Sequence, residues 1–241
     1  MDKAIIDQLA PNGVLRAGVN LGNILLVTDR TEAGDPIGVS PDMARALADR
    51  LGVSVQYVTY PSPGAVADAV AGDNWDIGLI AVEPKRAETV TFSPAYTEIE
   101  ATYLVPESSG AVSLEDIDMP GMRIAVSDRS AYDLYLSRTL QNATLLRGEG
   151  LAGTVDLFVA EELDALAGLR PALLENAKEL AGARVLDGRF TTVRQAIGVH
   201  PENTEAAKFV ADFVHTVRTD GTVQGLIDRH GMTGRLNVGT D

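Results

Sequence analysis

Apolar and polar positions change period in a regular way along this chain, and the changes mark out its elements. Residues 14–19 read as a short strand, followed by a polar, glycine-containing loop through Asn20, Gly22 and Asn23. Met43, Leu47 and Leu51 then recur every fourth residue, which lays an apolar stripe along one helix face. That helix carries end signals: Ser40 suits the N-cap, Pro41 the first helical position, Asp42 the positive helix end and Gly52 the stop. Residues 53–60 alternate like a strand, and Ser62-Pro63 repeats the cap-plus-proline start. Residues 65–71 are helical in composition, Gly72 stops them, and residues 76–82 form a compact apolar run that reads as a buried strand. Strand–helix–strand–helix–strand implies a parallel sheet with helices on both faces.

A second unit of the same kind follows the stretch 106–110. Its strands are predicted at 123–127, 143–147 and 164–169, and its helices at 131–140, 155–162 and 171–180. Residues 191–199 read as extended, and two further helices at 204–219 and 222–230 have no sheet of their own. The economical arrangement returns the chain to the first unit and packs these helices there. The expected fold class is therefore α/β with two lobes, each a mostly parallel sheet with flanking helices, joined by two crossing hinge segments. Lobe 1 takes residues 1–104 and 194–241, lobe 2 takes 105–193, and a ligand cleft is expected between them.

Composition narrows the function. The chain has 241 residues, 45% hydrophobic and 22% charged, which is ordinary for a globular protein and too apolar for a disordered one. Its net charge is −14 and no Lys/Arg-rich run occurs, so nucleic acid and anionic membrane surfaces are not expected partners. An anionic ligand needs a local arginine, because remote charges are screened beyond about 8 Å. There is no cysteine, which removes thiol nucleophiles, disulfides and Cys-ligated metals. His200, His215 and His230 are far apart and form no zinc motif, so neither a metal nor a cofactor is expected. Gly148-Glu149-Gly150-Leu151-Ala152-Gly153 matches G-x-G-x-x-G, but it follows the second strand of its unit rather than the first, and Glu149 would repel phosphate. The first residues, Met1 to Asp7, lack the apolar core of an export signal. Two expectations stay open: a mature form whose signal was removed, or a cytoplasmic protein.

Several segments, in order, resemble the type II periplasmic binding proteins of the polar amino-acid branch, solute-binding family 3. Gly38-Val39-Ser40-Pro41-Asp42-Met43-Ala44 is similar to the family's entry into its first helix. Asp76-Ile77-Gly78, Pro84-Lys85-Arg86-Ala87 and Phe92-Ser93-Pro94-Ala95-Tyr96 resemble its central block. Arg123-Ile124-Ala125-Val126 with Ser130-Ala131-Tyr132 resembles the opening of its second lobe, and Asp220-Gly221-Thr222 its end. The resemblance implies a periplasmic protein that acts as a monomer by hinge closure and delivers an amino acid or organic acid to the membrane subunits of an ABC transporter.

In open parallel sheets, ligands bind outside the carboxyl ends of the strands, which selects the loops 20–23, 81–86 and 127–132. Candidate ligand-binding residues are Asn23, Ala81, Glu83, Arg86, Ser130, Ala131, Tyr132 and Arg170. The resemblance carries the α-carboxylate partner to Arg86, whose planar fork suits a carboxylate. Ser130 and Ala131 open a helix, so their N–H groups can face an anion, and Ser130 can also serve as its cap. Arg129 stands where the family often has Gly; it points to solvent or narrows the pocket. Leu169-Arg170 departs from the family, whose members usually place there an Asp for the ligand's ammonium. Either Glu83 or Asp133 supplies that charge, or the ligand has no ammonium and Arg170 holds a second carboxylate; Arg170 can also be a solvated helix-start residue. Tyr60, Trp75 and Tyr103 either line the cleft or pack. Two other functions share the fold: a cyclohexadienyl dehydratase-like enzyme, with Glu83 as its acid, and a ligand-sensing domain.

Overall fold

The computed structural model describes residues 2–240 and divides into two compact units. Unit 1 comprises Met1–Glu98 with Arg194–Asp241, and unit 2 comprises Ile99–Val193. In chain order, unit 1 holds α1 (Lys3–Leu9), β1 (Val14–Asn20), β2 (Asp29–Arg30), β3 (Pro36–Ile37), α2 (Val39–Leu51), β4 (Ser54–Tyr60), α3 (Pro63–Asp68), β5 (Ile77–Ala81) and β6 (Thr91–Phe92). The strand β7 (Thr97–Pro106) leads out of it. Unit 2 continues with β8 (Arg123–Ser127), α4 (Ala131–Thr139), β9 (Thr144–Gly148), α5 (Gly150–Ala160), β10 (Ala165–Leu169), α6 (Arg170–Glu179) and β11 (Ala183–Val185). The strand β12 (Thr191–Val199) leads back to α7 (Thr204–Thr219), α8 (Thr222–Arg229) and β13 (Asn237–Val238). This is the two-lobed α/β periplasmic-binding-protein architecture. Among the described residues, no helix is long and apolar enough to cross a membrane.

In unit 1, β1 runs parallel to β4 and β5, and β12 closes the sheet antiparallel to β5. Every residue of β5 is buried, as the apolar run at 76–82 implies. Met43, Leu47 and Leu51 all lie in the core, and Gly52 ends α2 in the left-handed conformation at φ 76°. The start of α2 differs from expectation. Gly38, not Ser40, is the N-cap residue, at φ 151°, where a Cβ would lie 2.2 Å from the Leu26 carbonyl oxygen. Ser40 instead sits inside the helix, with its hydroxyl 2.6 Å from that of the buried Tyr96. Ser62 does cap α3, accepting the Ala65 N–H at 3.2 Å. Trp75 is fully buried, lies against Gly18 and Gly78 and donates Nε1–H to the Val66 carbonyl at 2.9 Å. It is a core residue, and the partly buried Tyr60 packs against the same cluster.

The returning helices find their cover in unit 1. α7 packs on α1 and α8 on α2. Gln8 Oε1 accepts the Ala206 N–H at 2.9 Å, and Asp42 Oδ2 lies 2.8 Å from His230 Nε2. The short α1 escaped sequence reading because it is too brief to display a period.

In unit 2, β8 runs parallel to β9 and β10, while β7 is antiparallel to β10 and β11. The chain leaves unit 1 at Glu98, earlier than the expected boundary after residue 104. Ala101–Leu104 pair with β10 and Leu104–Pro106 with β11, so this stretch is bonded into unit 2. The glycine-rich segment after β9 has a steric role: a Cβ on Gly148 would lie 2.4 Å from Thr154 Cα, where α5 folds onto its strand. Tyr103 is buried against Phe190, with ring centroids 4.6 Å apart.

Candidate functional site

In unit 1, β1 and β5 end side by side, and the end of β5 with the loops beyond both strands carries four of the predicted residues. Asn23 is nearly buried and shapes its own loop: Oδ1 accepts the Leu25 N–H at 3.1 Å, and its carbonyl accepts those of Leu26 and Val27. The turn leaves the neighbouring Ile24 58% exposed. Ala81 is the last residue of β5, and its carbonyl oxygen accepts Arg86 Nη1–H at 2.9 Å. A loop of four residues, 82–85, thus brings a guanidinium back onto the strand end. Arg86 is 4% exposed and Glu83 2%. The Glu83 carbonyl accepts the Ala87 N–H, and its Oε2 accepts the Lys85 N–H at 3.0 Å. Two opposite charges are therefore buried within one short turn, which holds both rigidly.

In unit 2, β8 ends at Ser127 and α4 begins at Ala131. Ser130 is the cap, accepting the Asp133 N–H at 3.0 Å. Its own N–H is donated to the Ser127 carbonyl, which removes it from the expected anion-facing pair and leaves Ala131 as the first helical N–H. Tyr132 is buried with its hydroxyl near those of Ser130 and Ser127, and burial pushes the phenol up to about 12. Arg129 adopts φ 53°, a left-handed conformation costly for a residue with a Cβ.

Two other candidate charges in this unit have partners within the chain. Asp133 is already paired: it accepts the Arg129 N–H at 2.8 Å and Arg147 Nε–H at 3.1 Å, with Arg147 Nη2 3.0 Å from its Oδ1. Arg170, the candidate for a second carboxylate, is engaged within the chain. Its Nε donates to Glu100 at 2.9 Å, Nη1 to the Leu186 carbonyl and Nη2 to that of Gly188. Arg189 bonds the other oxygen of Glu100 at 2.8 Å. Arg189 and then Arg170 hold the Glu100 carboxyl below its usual range, against the opposing effect of burial. Leu169, at the end of β10, is buried and apolar.

The model of the bacterial extracellular solute-binding proteins, family 3, matches residues 18–233. The chain belongs to that family. Solved structures agree on the fold. The ancestral amino acid-binding protein AncCDT-1, a precursor of cyclohexadienyl dehydratase, superposes with a TM-score of 0.75 at 24% identity, covering 93% of this chain and 98% of that one. A putative binding component of an ABC transporter from Wolinella succinogenes DSM 1740, complexed with lysine, gives 0.76 at 20% identity, covering 90% and 95%. The chain is also 27% identical over 135 residues to the membrane-bound lytic murein transglycosylase F of Maricaulis maris (strain MCS10). That match takes in 55% of this chain and 29% of the relative, so the chain corresponds to under a third of that protein.

One polar residue in unit 1 escaped the sequence reading. Gln195 lies within β12 and is 6% exposed. The available signal was its setting, a long amide directly before the apolar run Ala196-Ile197-Gly198-Val199.

Proposed function

We propose that this family 3 protein captures a small carboxylate-bearing solute, an amino acid or an organic acid, outside the cytoplasm and delivers it to the membrane subunits of an ABC transporter. The observation that carries the reading is Arg86: a guanidinium buried to 4% exposure and steered by the Ala81 carbonyl at the carboxyl end of a parallel strand. A planar fork held in one orientation matches a carboxylate bidentately. Glu83, buried in the same turn, is the acid best situated to answer a ligand's ammonium. The pairing of Asp133 with Arg147 and of Arg170 with Glu100 supports giving both roles to unit 1.

The test is a thermal-shift screen with matched sets of α-amino acids and of amine-free acids of equal length. A ligand at about a hundred times its dissociation constant adds roughly 2.7 kcal/mol of stability. Shifts by amino acids alone assign the ammonium to Glu83; shifts by amine-free acids alone make the solute an organic acid. Silence from both sets refutes carboxylate capture. A second reading, favoured by the burial of an acid beside Arg86, makes Glu83 the general acid of a cyclohexadienyl dehydratase-like reaction. It requires prephenate turnover that Glu83→Gln abolishes.

A further inference from the structure

Within unit 1, β5 and β12 run antiparallel, and Gln195 lies directly opposite Ala81. Residues opposed in this way place their side chains on one face of the sheet, with Cβ atoms about 4.5–5.5 Å apart. Ala81 is the residue whose carbonyl holds Arg86 Nη1. Gln195 therefore stands beside the turn that carries Arg86 and Glu83.

The backbone of Gln195 is employed: its carbonyl accepts the Tyr96 N–H at 2.8 Å. Its side chain is different. At 6% residue exposure, neither atom of the carboxamide has a hydrogen-bond partner among the described residues. Other buried polar side chains of unit 1 do have one: Ser40 with Tyr96, Asp76 with Arg16, and His200 with the Trp75 carbonyl. The Thr97 hydroxyl also lacks a partner, but it is sealed from the surface, whereas the Gln195 amide keeps a narrow opening to it. A carboxamide brings two donors and an acceptor, and withdrawing these from water without replacement is costly. An apolar side chain of the same length would fill this position at lower cost.

We infer that Gln195 is a ligand-contacting residue, whose carboxamide meets a neutral hydrogen-bonding substituent, a hydroxyl or carboxamide, on the same small acid whose carboxylate pairs with Arg86. The inference rests on the carboxylate-capture reading above and narrows its solute class. A neutral group that both donates and accepts suits an amide, which does the same. A second carboxylate could use only the N–H groups, and an ammonium only the carbonyl oxygen.

The test is calorimetric titration of the full chain with paired acids that differ by one such group: glycolate and acetate, L-lactate and propionate, L-malate and succinate, L-glutamine and L-norvaline. In at least one pair the wild type favours the substituted acid by about tenfold, the discrimination of one well-made hydrogen bond. Gln195→Met removes that preference while leaving the affinity for the unsubstituted partner, and raises the melting temperature of the ligand-free protein by roughly 2–4 °C. Gln195→Asn, which keeps the amide but shortens its reach, gives an intermediate preference and serves if the Met variant does not fold. A wild type that binds acids without preference, or a Gln195→Met that keeps the preference, overturns the assignment alone. A wild type that binds none of these acids refutes carboxylate capture, and this assignment with it.

Discussion

The two units spend their charges differently at the carboxyl ends of their strands. In unit 2, the charged side chains near these ends are engaged with each other: Asp133 takes Arg147 and the Arg129 N–H, and Glu100 takes both Arg170 and Arg189. In unit 1, Arg86 and Glu83 are more deeply buried than Arg170, and the Arg86 orientation is set in part by a neutral carbonyl. Arg170 is drawn into an ion pair with Glu100 and onto two backbone carbonyls, whereas the Arg86 fork lies on the carbonyl that ends β5. The same residue type, arginine at a strand end, is thus set in two surroundings: partly exposed beside Glu100 in unit 2, and buried in one turn with Glu83 in unit 1.

Four substitutions and one titration bear on this contrast. The largest effect is expected from Arg86→Ala, which weakens ligand binding by about 2–5 kcal/mol, as when one partner of a buried, hydrogen-bonded charge pair is removed. Arg170→Ala, measured by the same calorimetry, leaves affinity unchanged; equal losses from both would erase the distinction between the units. Asp133→Ala comes next. It leaves the Arg129 N–H and the Arg147 side chain without their acceptor and costs about 2 kcal/mol of stability in urea melts, reduced from the fully buried case because Arg147 is half-exposed. Arg129→Gly acts in the opposite direction. Relief of the left-handed conformation at φ 53° stabilises the protein by about 1 kcal/mol, provided that the Asp133 contact to the backbone N–H persists.

The smallest effect concerns acid. The Glu100 carboxyl lies below its ordinary value of 4.5 because Arg189 and Arg170 favour its ionised form. A depressed carboxyl contributes stability that is complete above its unfolded value and is lost as pH falls through the folded one. Glu100→Gln is therefore less stable than the wild type near neutrality, and the difference shrinks below about pH 4.5 in paired thermal melts. A constant difference across that range would mean that the Glu100 charge is immaterial to the cluster.

Much of the fold was legible because it is written in local patterns. The stripe of Met43, Leu47 and Leu51, the all-apolar β5 and the Ser62-Pro63 start each express a short-range rule, and each element lies where its pattern puts it. The failures are equally local in cause. Ser40 has the chemistry of a cap, but Gly38 occupies the backbone geometry that begins the helix, and Tyr96 captures the serine hydroxyl from 56 residues away. The sequence reading ends the first lobe after residue 104, whereas strand pairing bonds β7 from Ala101 onward to β10 and β11.

The sequence by itself determined the order of elements, the two-unit organisation, the family and the loops in which a ligand residue would be sought. These follow from periodicity and from short motifs, which need only neighbours in the chain. Only the tertiary structure decided which charged side chains are already answered, because Arg170 finds Glu100 across 70 residues and Arg147 finds Asp133 from a different element. It also brought Gln195 opposite Ala81, two residues separated by nearly half of the chain. Electrostatics and hydrogen bonding act over a few ångströms of space, so partners far apart in sequence stay hidden until the sheet has set its register.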